Sequence, residues 1–535
     1  MHKTNFSKVF ARRATECFFM ILLLFLSCVL RIGVINTKGY GEVAAKQSGY
    51  RISVSHIRGT IYDCNLKPLT NTTYETYAAI SPTPSGITGI SSKISKEDLS
   101  QVISSLKANK PAVCKVKENF THTGIATASI CSKYSSYLDA AHILGYTDAS
   151  CHGVCGLQKA YDSLLYSDKS VEAVFTTNGK GSVLEGIEPY FENVGENNLN
   201  CLVTTLESDI QSLVSRCADK IEKGAVIVSE CKTGKIRATV SRPDYNAAYI
   251  NKYLYNENSP MINRALLSFS VGSVFKPCVA AAAIESKNYG FTHFCSGSTV
   301  IGDRVFKCHK EGGHGAVDLR LALAYSCNSF FYNFIQNIGA NAVYNMASSL
   351  NFGREIKIAD NFYTSGAVLT DISALNSEAS LANLSIGQGN LSASPVCMLN
   401  LYNAIASDGG YFLPSVVERT VKDGKSEKYS AGAKTKVMSE STSKILREYL
   451  SAVISEGTGK SAAPKKVTAA GKTATAQTGR YSDDGTEINN SWFCGFFPLE
   501  NPEYTVIIMS ENGTTYEVCR TFCEIADGIY ELQNK

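Results

Sequence analysis

The apolar positions of this chain fall first into one long block. Cys17 to Leu30 is an unbroken run of apolar or small residues, and Ile32 to Ile35 extends it past Arg31, whose stem can lie in an apolar layer while its charged head reaches water. A block of this length predicts a membrane-crossing helix over 17–35. Lys3, Lys8, Arg12 and Arg13 precede it, so residues 1–16 are expected in the cytoplasm and the bulk of the chain outside. A cleaved signal peptide competes with this reading, but the nearest small-residue pattern, Val43-Ala44-Ala45, stands far beyond the apolar run.

The pattern then turns mixed and polar from 36 to about 200. Pro82-Thr83-Pro84-Ser85-Gly86 marks a loop. Ser95-Lys96-Glu97-Asp98 reads as a capping box ahead of a helical stripe of Leu99, Val102, Ile103 and Leu106. This stretch is expected to form a pedestal domain over 36–200. A stronger stripe, Leu206, Ile210, Leu213, Val214, Cys217 and Ile221, opens a second domain over 201–535. Within it, Ala225–Ser229 and Ile236–Val240 read as strands, as do Thr468–Gln477, Ser491–Gly495 and Tyr504–Met509. Cys278–Ile284 and Val317–Tyr325 read as core-facing helices, and Thr521–Glu531 as a terminal one. The expected fold is α/β (α+β), an antiparallel sheet flanked by helices.

With 535 residues, 44% hydrophobic and 19% charged, the chain has material for two or three domains with proper cores. Its net charge of +4 is scattered, without basic runs or aromatic-basic interleaving, so nucleic-acid binding has no support.

The chemistry lies in three short stretches. Ser273-Val274-Phe275-Lys276 is S-x-x-K; residues three apart share a helix face, so Ser273 in a first turn sets its hydroxyl beside the Lys276 amine, and Pro277 fits a helix start. A serine hydroxyl needs a base, and Lys276 serves only if burial and a second cation keep it neutral. Lys472 is the expected second cation. Ser326-Cys327-Asn328 is S-x-N, a polar break between two buried helices, with Ser326 placed to bridge the lysines and Asn328 to bind a substrate amide. Lys472-Thr473-Ala474-Thr475 is a variant of K-T-G on a strand, with the backbone N–H groups of Ser273 and Thr475 as the oxyanion donors. A literal K-T-G, Lys232-Thr233-Gly234, precedes the nucleophile and reads as a hairpin turn.

The ordered set resembles the class B penicillin-binding proteins, monofunctional transpeptidases of the bacterial cell wall with a serine β-lactamase/transpeptidase-like fold. Arg58-Gly59-Thr60-Ile61-Tyr62-Asp63-Cys64-Asn65 is similar to the family's R-G-x-I-x-D-x-N. Gly145-Tyr146, Gly156-Leu157 with Tyr161-Asp162, Ile386-Gly387-Gln388-Gly389 with Ser394-Pro395 (serine in place of the usual threonine), and Gly457-Thr458-Gly459 resemble further family features. Two departures matter: Gln158-Lys159 stands where glutamate is usual, and Ala474 replaces glycine, its methyl expected to crowd a substrate or β-lactam along Lys472–Thr475.

The resemblance implies catalytic roles for Ser273, Lys276, Ser326, Asn328 and Lys472, and substrate contacts from Thr473, Thr475 and Gly471. It implies peptidoglycan stem peptides and β-lactams as ligands, a SEDS-type glycosyltransferase as partner, a single-pass place in the cell membrane, and no metal or organic cofactor. A serine β-lactamase, a D,D-carboxypeptidase and a silent scaffold share the fold and stay open as alternatives, Ala474 favouring the scaffold.

Eighteen cysteines in a largely extracytoplasmic chain suggest disulfides, yet no C-x-x-C occurs and Cys217, Cys278 and Cys494 sit at core-like positions. Cys295, Cys308, His309 and His314 cluster between the first two motifs. Their irregular spacing departs from the usual zinc patterns. A Cys295–Cys308 disulfide or buried free thiols is the preferred reading, with His314-Gly315 as a structural turn.

Overall fold

The computed structural model describes residues 3–37, 49–132, 140–482 and 484–534. Val43-Ala44-Ala45 lies outside the described residues. Helix α1, Lys3–Thr37, contains the apolar block. Its 28-residue stretch Lys8–Ile35 is about 42 Å long at 1.5 Å per residue, enough by length and composition to cross a hydrocarbon layer of about 30 Å.

The chain forms two compact units that interleave rather than follow one another at residue 200. One takes Met1–Ile57, Tyr74–Ser132 and Asp168–Glu196; the other takes Arg58–Thr73, Lys133–Ser167 and Asn197–Lys535. The first unit carries two three-stranded sheets. Gly49–His56, Ser170–Thr176 and Tyr190–Glu192 make one, and Ala112–Val116, Thr73–Ile80 and Ile125–Ser132 the other. Its helix Lys96–Lys107 starts where the sequence places it, with Ser95 accepting the Asp98 N–H, and it buries Val102 and Leu106 against Ala78, Ile80 and Ile125. The capping box is half made: the Ser95 hydroxyl donates to the Asp98 carboxylate.

Buried polar staples join segments 58–73 and 140–167 to each other, and one at Asp63 joins them to the rest of the second unit. The Arg58 guanidinium donates to Gln158 Oε1 at 2.7 Å, to the Cys151 carbonyl at 2.7 Å and to the Gln158 carbonyl at 3.0 Å, and pairs with Asp162 at 2.8 Å. Asp162 thus supplies the charge where Gln158 replaces a glutamate. Asp63, also buried, accepts from the Asn65 and Lys67 N–H groups and from the Ser208 hydroxyl.

The frame of the second unit is a five-stranded antiparallel sheet. In chain order its strands are β1 (Gly224–Glu230), β2 (Ile236–Arg242), β3 (Ala470–Tyr481), β4 (Glu487–Phe497) and β5 (Tyr504–Glu511), and across the sheet they run β2-β1-β5-β4-β3. Lys232-Thr233-Gly234 is the turn from β1 to β2, with Gly234 at φ +71°. The alternation of a strand buried on both faces is plain in β5. Val506 and Ile508 face one helical layer, Ile507 and Met509 the other. The first layer contains the terminal helix Thr515–Gln533, whose Phe522 packs on Phe493 with ring centroids 4.5 Å apart. The second contains α2 (Lys276–Glu285), α3 (Leu319–Ala324) and α4 (Asn328–Ile338). Every residue of α2 from Lys276 to Ile284 is buried, so it has no solvent face and sits at the centre of the core.

Candidate active site

Ser273 lies in a 3-10 turn, Gly272–Phe275, that runs straight into α2 at Lys276. The sequence reading put Ser273 in the first turn of the α-helix itself. The tighter winding eclipses residues i and i+3, which stacks Ser273 and Lys276 on one side. The turn is clamped from outside. The Gly272 N–H donates to the Gly387 carbonyl at 2.9 Å, and Gly387 has φ +73°, where an added Cβ would stand 2.0 Å from the Gly272 oxygen. Strand β3 lies against the same turn, since a Cβ on Gly272 would meet Ala476 at 3.0 Å.

Lys276 is fully buried. Its Nζ donates to the Ser326 carbonyl at 2.8 Å and to Asn328 Oδ1 at 2.6 Å, lies 3.2 Å from Ser326 Oγ, and sits 5.1 Å from the centre of the Phe331 ring. Burial pushes its pKa down to about 7. The S-x-N turn is itself unusual: Ser326 has φ +55°, rare for a non-glycine residue, and Cys327 caps α4 by accepting the Phe330 N–H at 3.4 Å.

Lys472 is fully buried on β3, the edge strand, and donates to the Thr473 carbonyl at 2.9 Å. Burial first, and the nearby charge of Lys276 second, hold its pKa well below the ordinary lysine range. Thr473 Oγ1 and Thr458 Oγ1 are 2.6 Å apart, and the Thr458 N–H donates to the Ala324 carbonyl at 3.1 Å. The G-T-G loop therefore ties the strand to the end of α3. Thr475 is exposed, its Oγ1 3.2 Å from that of Thr515. Gly471 is buried; a Cβ there would meet the Phe493 ring at 2.6 Å, so its bareness serves sheet packing.

One expectation changes, and one pair of open readings is decided. The Ala474 methyl, expected to crowd the substrate edge, is buried in the core cluster that also holds its cross-strand partner Trp492. Side chains of a strand point to its faces, and a ligand adding to β3 meets its backbone edge. The Cys295–Cys308 disulfide is not formed; both thiols are free, and each lies 3.6 Å from His314 Nδ1. The Phe331 ring beside Lys276 escaped the sequence reading, for which position +3 after an S-x-N offers no signal.

Residues 224–526, more than half of the chain, match the family described as penicillin binding protein transpeptidase domain. Stage V sporulation protein D of Bacillus subtilis is 27% identical over 403 residues, which cover 71% of this chain and 59% of that protein, under two thirds of its length. Peptidoglycan D,D-transpeptidase MrdA of Acinetobacter baumannii is 24% identical over 491 residues, covering 79% of this chain and 71% of the relative. Penicillin binding protein 3 of Mycobacterium tuberculosis, solved with ampicillin, superposes with a TM-score of 0.66 at 22% identity over 90% of this chain and 96% of that one. With its three motifs gathered on one turn, one helix break and one edge strand, the chain belongs to the penicillin-binding protein transpeptidase family.

Proposed function

We propose that this chain is a peptidoglycan D,D-transpeptidase, cross-linking stem peptides through an acyl-enzyme on Ser273 and acylated at the same serine by β-lactams. The observation that carries the reading is Lys276, a buried amine near neutrality, one turn from Ser273 and hydrogen-bonded to Ser326 and Asn328. Family membership and relatives named as D,D-transpeptidases support it.

In this mechanism Lys276 takes the Ser273 hydroxyl proton as Oγ attacks the penultimate D-Ala carbonyl, a base contribution of about 10²–10⁴ in rate. The N–H groups of Ser273 and Thr475 hold the oxyanion. The C–N bond then breaks, and Ser326 passes the proton to the departing D-Ala amine. An amine from a neighbouring stem attacks the ester, forms the cross-link and returns Ser273 to its hydroxyl form. Asn328 holds the substrate amide; Lys472, Thr473 and Thr475 hold its carboxylate. The basic residues Lys3, Lys8, Arg12 and Arg13 ahead of α1 favour a single-pass membrane protein with a cytoplasmic N-terminus. The SEDS-type glycosyltransferase implied by the resemblance is assigned to α1 and the first unit. Ala474 no longer favours a silent scaffold, because its methyl faces the core.

The test is intact-protein mass spectrometry of the whole chain in detergent after benzylpenicillin treatment. A stable penicilloyl adduct is expected on the wild type and none on Ser273→Ala. A folded wild type that leaves the antibiotic intact and carries no adduct would refute the reading. Incorporation of an added D-amino acid acceptor separates a transpeptidase from a carboxypeptidase.

A further inference from the structure

Directly behind the S-x-N turn four sulfur and nitrogen side chains converge. Cys295 ends the strand His293–Cys295, Cys308 follows the hairpin made by Ser298–Ile301 and Arg304–Lys307, His314 precedes the strand Gly315–Val317, and Cys327 joins α3 to α4. Their three Sγ atoms and one imidazole nitrogen all lie within 4.8 Å of one another. The three cysteines are buried and His314 is half-buried. Sequence reading grouped His309 with this set. The fold supplies Cys327 instead, hidden in the sequence as the middle residue of a catalytic motif.

The distances fit one metal ion better than hydrogen bonds. Zinc–sulfur bonds of about 2.3 Å and zinc–nitrogen bonds of about 2.0–2.1 Å, set tetrahedrally, separate S from N by about 3.6 Å. Cys295 Sγ and Cys308 Sγ are each 3.6 Å from His314 Nδ1. One imidazole nitrogen offers either a proton or a lone pair, so it serves one thiol well and two poorly. A disulfide between any two of the thiols would strand the third beside the imidazole.

The frame around the cluster is tight. The His314 ring stacks on Tyr325 with planes 2° apart. At Gly313, φ +72°, an added Cβ would lie 2.0 Å from the Cys295 carbonyl oxygen, so the loop closes over the cluster only with glycine there. The Phe330 N–H donates to Cys327 Sγ, a bond that stabilises a thiolate.

We propose that Cys295, Cys308, His314 and Cys327 bind one zinc ion in a closed Cys3His site, and that this ion positions the S-x-N turn. Three thiolates and one imidazole in a tetrahedron select zinc over harder, octahedral cations. Binding exchanges three thiol protons for the ion, leaving a complex of net charge −1. The consequence for the active site is direct. Cys327 lies between Ser326 and Asn328, both of which hold Lys276 Nζ, and Ser326 keeps a left-handed backbone that persists only when its surroundings over-determine it. A metal bond to Cys327 pins that turn from behind.

The test begins with the full chain, purified in detergent and passed over a chelating resin. Elemental analysis is expected to give about one zinc per chain, and cobalt substitution the strong visible bands of a tetrahedral thiolate site. Cys308→Ser should lose the metal, whereas Cys295→His, which restores a ligand, should keep it. Stripping the zinc should slow benzylpenicillin acylation about tenfold or more, and returning zinc should restore it. Wild type that binds no zinc, or cobalt in a weak octahedral spectrum, overturns the site. Full acylation by metal-free, folded protein overturns the positioning role. The metal measurements stand apart from the proposed function; only the acylation arm rests on it, and absence of acylation in the zinc-loaded form would count against that function instead.

Discussion

Lys276 gathers the chemistry of the second unit into one titration. In the proposed mechanism Lys276 must be neutral to take the Ser273 proton, and burial lowers this group from the ordinary lysine value of 10.5 to about 7. The neutral, active amine therefore increases as pH rises through that value. The rate of acylation by benzylpenicillin is expected to climb between about pH 6 and 8 and then level, because deprotonation is complete one unit above the pKa. Lys276→Arg keeps the charge at every pH and should lose the climb together with about 10²–10⁴ in rate. A flat wild-type profile in stopped-flow acylation would remove Lys276 as the base. At this scale much was legible. Ser273 with Lys276, and Ser326 with Asn328, are local pairs whose spacing fixes their geometry on one turn. Ala474 and Cys327 were not legible. Which face a strand residue takes, and which distant side chains meet behind a motif, depend on packing partners far along the chain.

The elements around the site act through close backbone contact, and Gly387 is the clearest case. Its φ of +73° and the 2.0 Å approach of any Cβ to the Gly272 oxygen leave no room for a side chain. Gly387→Ala is expected to cost about 1–3 kcal/mol from the left-handed backbone alone. It should also displace the Gly272–Phe275 turn from its place beside β3 in either direction, slowing acylation by at least about tenfold. Gly389→Ala is the control: its φ is also positive, at +80°, but the nearest atom to a new Cβ is Asn383 Cβ at 3.5 Å. It should pay a similar backbone cost and acylate normally. Equal acylation by both variants, measured with a fluorescent penicillin beside thermal melts, would show that the clamp does not set the nucleophile. The sequence announced this loop only as a resemblance, without saying what it touches. It did separate the decoy Lys232-Thr233-Gly234 from the strand motif, because the flanking β-favouring runs and the glycine required a hairpin. It missed the 3-10 winding of the Gly272–Phe275 turn, since S-x-x-K fits either helix.

For the whole molecule, the interleaving of the units matters more than either boundary alone. Composition put a single cut near 200 because segments 58–73 and 140–167 are as polar as their surroundings; their few apolar residues gain meaning only when placed against the rest of the core. Ile61, Leu144, Leu157 and Leu165 are each at most 1% exposed and belong to the same core cluster as α2. Burying a side chain of this size is worth about 1.5–3 kcal/mol, so the four together contribute roughly 6–12 kcal/mol, comparable to the whole stability of an ordinary domain at about 5–15 kcal/mol. The Arg58 and Asp63 networks would be lost with them. A fragment of residues 201–535 holds all three sequence motifs and the whole five-stranded sheet, yet it is expected to show no cooperative melt and no penicillin adduct. A fragment of residues 49–535 should melt cooperatively and acylate. Calorimetry and adduct mass spectrometry on the pair decide the matter. If 201–535 melts within about 2 °C of the longer fragment and acylates at its rate, then 58–73 and 140–167 merely decorate the second unit. If it fails as expected, the second unit needs chain that precedes residue 201, in keeping with a unit that begins at Arg58.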